Sequence, residues 1–263
     1  MKKFLLAIFL LLPGLAQAAF DQTHAQWDAL THRHVVPTSY GYASQVDYKG
    51  FQADRAALKA YLDGLSAVTP AEYEGWTRPQ KLAFLINAYN AFTVELVLTA
   101  YPELKSIKDL GSFLRSPWKK TFFSLLGKEH SLDDIEQEMI RAPGAFDDAR
   151  IHMALNKASA GSPALRKEAF VADKLDAQLE DGVQRFLSDR SRNRFDAQTR
   201  KLEVSKLFDW SAKDFAARAG SVEAWLAKYS DRLGDNLGQR QAIRNKQAKV
   251  EYLDYDWSLN DRR

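Results

Sequence analysis

Between Thr77 and Tyr101 the chain reads TRPQKLAFLINAYNAFTVELVLTAY, and its apolar residues leave no polar side to a helix. Leu82, Phe84, Leu85, Ile86, Tyr89, Phe92, Val94, Leu96, Val97 and Leu98 fall on every face. A helix that is hydrophobic all round is a buried one, so this stretch predicts a central helix with the rest of the fold wrapped about it. Thr77 is its expected N-cap, Pro79 fits the first turn, and Gln80 stands where a capping-box side chain belongs. Pro102 is the expected stop. Asn87 and Asn90 lie one turn apart inside this apolar run. A buried amide left unpaired costs roughly 1–3 kcal/mol, so the two either bond to neighbouring backbone or line a cleft.

Weaker patterns flank it. Asp21 to Leu30 predicts a short helix, Tyr40 to Phe51 an extended aromatic segment across the core, and Gln52 to Leu65 a helix through Ala56, Leu58, Tyr61, Leu62 and Leu65. Thr69-Pro70 opens a further turn. Beyond Pro102, Thr121 to Leu126 reads as a strand, with Gly127-Lys128 turning into Glu129 to Leu132. Ser131 and Asp134 form a second capping box, predicting a helix to Arg141. Asp133, Asp134 and Glu136 then fall in a first turn, where the helix dipole favours acidic residues. Arg150 to Asn156 alternates, which predicts a strand with His152, Ala154 and Asn156 on its polar side. Ser162-Pro163 has the form of an N-cap and first helical residue, and a charged amphipathic helix is expected over Ala172 to Ser188. A hairpin over Arg194 to Val204, helices at Phe208–Ala217, Val222–Tyr229 and Gln239–Ala248, and a strand at Val250–Trp257 complete the chain. The expected fold is α+β: a single domain over 19–263, with the buried helix packed on a small, mainly antiparallel sheet and peripheral helices.

The first eighteen residues stand apart. Lys2-Lys3, the apolar run Phe4 to Leu12, Pro13-Gly14 and Ala16-Gln17-Ala18 form the three-part pattern of a signal peptide cleaved after Ala18. The expected product is periplasmic or secreted and has no stable membrane span, since no later run reaches about 18 uninterrupted apolar residues. Cleavage takes Lys+Arg from 37 to 35 against 34 Asp+Glu, a formal net of +1, so the sequence pI of 8.9 overstates how basic the product is. A nearly neutral chain lacks the basic field of a nucleic-acid binder; the clusters at Arg190–Arg194 and Arg240–Lys249 read as solvated faces. With no cysteine in 263 residues, neither a disulfide nor a lipid anchor is available. His32 and His34 could share one side of a strand, but no third ligand is spaced to close a metal site, and no metal or cofactor is expected.

Candidate chemistry gathers in RIHMALNKASAGSPALR, Arg150 to Arg166. It brings an imidazole (His152), an amine (Lys157) and hydroxyls (Ser159, Ser162) into one short stretch. A hydroxyl at a helix N-terminus gains from the dipole and from free N–H groups that could hold an oxyanion. His152 is the nearest base in sequence, and Asn156 or Asn87 could orient it. Ser before Pro is also a common N-cap without catalysis, and His152 equally fits ligand contact or a satisfied core position.

KLAFLINAYNAFTVELVL, SLDDIEQEMIR, RIHMALNKASAGSPALR and the closing LDYDWSLN resemble, in this order, the segments of the domain-of-unknown-function family numbered 547. The likeness extends over nearly the whole mature chain and is densest from about Gln80 to Leu187. It implies a pattern of residues and no established reaction. Asn87, Asn90, Glu136, Arg141, His152, Asn156, Ser159 and Pro163 match that pattern. Lys157 and Ser162 stand where similar members usually carry two cysteines, and Gln137 stands where many have a histidine. Thiol chemistry open to such relatives is therefore absent from this chain.

These observations lead to an exported ligand-binding protein with a cleft around His152 and Ser162, to which Asn87, Asn90, Asn156, Lys157 and Ser159 contribute. Its partner would be a small molecule, peptide or glycan of the cell envelope. Two alternatives remain: a hydrolase or acyl transferase on amide or ester bonds, with Ser162 as nucleophile and His152 as base, and a structural or interaction protein.

Overall fold

The computed structural model describes residues 19–112 and 115–262, so the expected leader lies outside the described residues. The chain opens with α1 (Ala25–His34), the strands β1 (Val35–Thr38) and β2 (Ala43–Val46), and three helices, α2 (Tyr48–Ala53), α3 (Arg55–Ala67) and α4 (Pro70–Glu74). Next comes the central helix α5 (Arg78–Leu98), followed by β3 (Phe123–Leu125), β4 (Lys128–His130), a π-helical stretch Asp134–Ile140 and a 3-10 turn Ala149–Met153. The last third holds α6 (Leu175–Ser188), β5 (Arg194–Asp196), β6 (Lys201–Ser205), α7 (Leu207–Trp210) and α8 (Ala212–Ala219). It ends with α9 (Val222–Ala227), α10 (Ser230–Leu233), α11 (Leu237–Arg244) and β7 (Lys249–Leu253).

Helix α5 starts as its sequence requires. The Thr77 hydroxyl accepts from the Gln80 N–H, and the Gln80 carboxamide accepts in return from the Thr77 N–H at 2.9 Å. Every residue from Leu82 to Val94 is buried. By length and composition α5 could cross a membrane, yet its most apolar window is 89% buried inside the fold. Around it lies the larger core, where Trp27 of α1 stacks on Tyr61 of α3 and Phe92 of α5 stacks on Phe123 of β3 at 3.8 Å. A second core joins Met153, Phe186, Phe208, Phe215 and Trp225. Helix α6 serves both, giving Leu175 and Leu179 to the first and Val183, Phe186 and Leu187 to the second.

The class is α+β, but the sheet differs from expectation. Instead of one sheet, the described residues form three small ones: β1–β2 and β3–β4 are antiparallel pairs, while β6 pairs antiparallel with β5 and parallel with β7. Strands of three to five residues separated by helices each close on a sequence neighbour, and β7 alone returns from afar. In the β3–β4 hairpin the turn is Leu126-Gly127, both at positive φ (50° and 75°), one residue earlier than expected. Gly127 accepts that conformation without strain.

Four further expectations are corrected. Tyr40 to Phe51 is no single extended segment: β2 ends at Val46 and Asp47 caps α2 by accepting the Gly50 N–H at 2.8 Å. His32 and His34 end helix α1 instead of sharing a strand. Arg150 to Asn156 is not a strand, because the Asp148 carboxylate accepts from both the Arg150 N–H and its guanidinium, closing the 3-10 turn that carries His152. Ile151 and Leu155 are four apart, so the same residues satisfy a turn as readily as a strand. Finally, no helix begins at Pro163: the Ser162 hydroxyl accepts from the Lys157 N–H behind it, not from a residue ahead.

Candidate functional site

Asparagines of the central helix pin the motif that follows. Asn90 donates to the Ala154 carbonyl (2.9 Å) and accepts from the Asn156 N–H (2.9 Å). Asn156 in turn donates to the Pro163 carbonyl (2.7 Å) and accepts from the Ala158 N–H (2.9 Å), so it folds Lys157 to Ser162 into a closed loop. One turn earlier, Asn87 makes the same double bond to the backbone of Phe170, at 2.7 and 3.0 Å. Each amide is buried and bonds backbone through both its oxygen and its nitrogen, and Asn156 accepts in addition from the Asn260 side chain, which offsets the cost of placing it in a core.

His152 and Ser162 are both 3% exposed, and their hydrogen bonds lead to different groups. His152 Nε2 meets Asp214 Oδ2 at 2.7 Å and Nδ1 meets the Ser211 hydroxyl at 3.3 Å, both from the start of α8. Asp214 also accepts from Arg141 Nε at 2.6 Å, and Arg141 reaches back to Gln137. Burial pushes the imidazole pKa down, against the raising effect of the Asp214 bond. For Asp214, burial acts upward, but the donors on His152 and Arg141 outweigh it and hold the carboxyl well below the usual carboxylate range.

The second group surrounds Lys157 and Ser162. Lys157 Nζ lies 2.5 Å from Glu136 Oε2, with the Tyr89 hydroxyl 3.4 Å from each. Burial opposes both charges; their mutual attraction prevails, so Glu136 titrates low and Lys157 high. Lys157 is thus a held cation, not a free amine. Beside it three hydroxyls meet: Ser159 to Ser162 at 2.9 Å, and each of these to the Tyr255 phenol at 3.0 Å. Asp134 does behave as a first-turn cap, on Ser131, whereas Glu136 belongs to this buried pair and not to a dipole effect.

Tyr255 connects the hydroxyls to the outside. It lines a cleft of about 490 Å³ together with Ala160, Gly161, Arg192 and Asn260. Arg192 spans the Ser162 and Ala160 carbonyls at 2.6 Å each, fixing that wall. The closing LDYDWSLN segment forms the other wall, joined through Gly161 N–H to the Asp256 carbonyl at 2.8 Å. A Cβ on Gly161 would stand 2.9 Å from that carbonyl, so only glycine permits the approach. Tyr255 also packs on Trp210 (4.9 Å) and Trp257 (4.5 Å), forming an aromatic patch in which Trp210 is 45% exposed.

Sequence reasoning selected His152 and Ser162 but missed their partners. Asp214, Ser211, Tyr255 and Arg192 come from 30 to 93 residues away, and no local spacing announces such contacts. The usable signal was an imidazole and a lysine placed among apolar residues, each of which needs a carboxylate. No curated protein and no solved structure matches the chain. Residues 73–187, the span that carries α5, Glu136 and the whole His152–Ser162 motif, match the model of the family described as "Protein of unknown function, DUF547".

Proposed function

We propose that the chain is an exported protein that binds a small polar ligand, a glycan fragment, in the cleft bordered by Tyr255 and Arg192. The observation that carries this reading is the Tyr255 phenol: it is bonded to Ser159 and Ser162 on one side, borders the cleft, and adjoins the exposed Trp210. A concave site lined by Tyr255, Arg192 and small polar residues, beside the exposed aromatic patch of Trp210, suits a ligand that combines hydroxyl groups with an apolar ring face. The same hydrogen bonds argue against acyl transfer by Ser162. A serine nucleophile needs a base on its hydroxyl, and both ring nitrogens of His152 are engaged by Asp214 and Ser211. Lys157 is held as a cation by Glu136 and cannot take the proton either.

The test is thermal stabilisation of the mature protein by oligomers of N-acetylglucosamine, read together with tryptophan emission. A ligand at about 100 times its Kd raises stability by about 2.7 kcal/mol. Trp210→Ala and Tyr255→Phe should each reduce the shift while leaving the unliganded melting temperature within a few degrees. Binding that is absent, or unchanged in both variants, removes this cleft from the function.

A further inference from the structure

A separate cavity lies where the leader would join the fold. It encloses about 260 Å³ and is lined by Ala19, Phe20, Asp21, His24, Tyr61 and Glu72. Phe20 is anchored there twice. Its ring packs against His24 (5.2 Å), Phe84 (5.4 Å) and Trp76 (5.8 Å), and its N–H donates to Glu72 Oε1 at 2.8 Å. Behind it His24, 1% exposed, meets the Tyr61 hydroxyl through Nδ1 at 2.7 Å, while its Nε2 has no hydrogen-bond partner. The residue just before Phe20 is Ala19, the first residue after the Ala16-Gln17-Ala18 pattern.

We propose that Glu72 and this cavity form a binding site for the chain's own processed N-terminus: hydrolysis of the Ala18–Ala19 bond creates an ammonium that docks beside the Glu72 carboxylate. The inference rests on the export reading above. Water adds across the peptide bond, the leader departs with the Ala18 carboxylate, and the Ala19 amine takes up a proton. An amide nitrogen carries no charge, so in the precursor the Ala19 N–H offers Glu72 no cation; among the described residues the Glu72 carboxylate accepts from the Phe20 N–H. After cleavage a unit positive charge stands one residue from that N–H, within the range where an opposite charge raises an amine pKa above its ordinary value of about 7.7–8.0. Asp21 does not compete for it: its carboxylate already accepts from the Thr23 and Ala25 N–H groups and the Thr23 hydroxyl. Processing would then strengthen the fold at the point where a precursor needs to stay loose for export.

The experiment starts from the full precursor, expressed with export, and reads the intact mass of the recovered protein. The expected start is Ala19. That protein is compared with its Glu72→Gln variant and with the same chain carrying an N-terminal acetyl group. The expected result is an Ala19 amine that an amine-acylating reagent labels several-fold more slowly at pH 7 than in Glu72→Gln. The melting temperature should be about 1–4 °C above that of the acetylated chain, a difference lost in the variant. A different start overturns the export reading and the docking with it. A start at Ala19 with labelling and melting indifferent to both changes overturns the docking alone.

Discussion

Replacing Lys157 by methionine tests its buried pair with Glu136. Lys157 Nζ and Glu136 Oε2 are 2.5 Å apart, with side-chain exposures of 16% and 8%. Methionine keeps the length of the side chain but leaves the Glu136 carboxylate with only the long bond to Tyr89, at 3.4 Å. Removing one partner of such a pair costs about 3–5 kcal/mol, because the survivor remains charged and desolvated. The Tyr89 hydroxyl and the Arg141 charge still favour the carboxylate and place this case near the lower end, about 3 kcal/mol, or a fall of roughly 6–12 °C in melting temperature for a domain of this size. Glu136→Leu should cost less, about 2 kcal/mol, since the longer lysine can bend its ammonium toward water. The double variant Glu136→Leu/Lys157→Met removes both charges and is expected to cost about 1–2 kcal/mol, which gives a coupling of about 3–4 kcal/mol. Urea melts of the four proteins at pH 7 measure it, and 1 M salt should change the coupling little because the pair is buried. A Lys157→Met protein within about 1 kcal/mol of the parent, or single effects that simply add, would refute the argument.

Other consequences follow from the same contacts. Burial drives the pKa of His24 down to about 4, and that of His152 also falls, so the folded state binds fewer protons than the unfolded chain between about pH 6.5 and 4. Their stabilisation is present above pH 6.5 and is lost as pH drops through that window, by up to about 1.4 kcal/mol per unit for His24 alone. Urea midpoints at pH 7, 6 and 5 should show this slope, reduced in His24→Phe; a flat profile would contradict it. Serine-directed phosphonate and acyl probes should leave Ser162 unlabelled by mass spectrometry, and a Ser162 adduct absent from Ser162→Ala would restore the nucleophile reading. Gly161→Ala forces a methyl to 2.9 Å from the Asp256 carbonyl and should cost about 1–3 kcal/mol while loosening the LDYDWSLN segment, visible as faster amide exchange at Tyr255 to Ser258. Unchanged exchange there would mean that this segment is held by something other than the Gly161 contact.

How much of this could be read from the sequence depends on the reach of each interaction. Helix α5 was legible from its cap to its burial, because capping and all-round apolarity are written within 25 consecutive residues. Asn87 and Asn90 were legible as amides in need of partners; that both serve the backbone of other segments required the fold. The motif from Arg150 to Arg166 misled on local structure for a physical reason. Its alternation and its Ser-Pro pair are genuine local preferences, but Asp148, Asn90 and Asn156 supply stronger hydrogen bonds that close a turn around His152 and draw Ser162 backwards. Those same bonds separate the two residues that sequence proximity had paired. Nine residues lie between His152 and Ser162, yet the imidazole turns to α8 and the hydroxyl to the C-terminal segment, beyond the part of the chain that matches the family model. His152 and Ser162 thus take hydrogen-bond partners from Ser211, Asp214 and Tyr255, outside the matched span 73–187, whereas Asn87, Asn90 and Glu136 find theirs inside it. A cysteine at position 157 would leave Glu136 without its cation, and one at position 162 would replace the hydroxyl that meets the Tyr255 phenol.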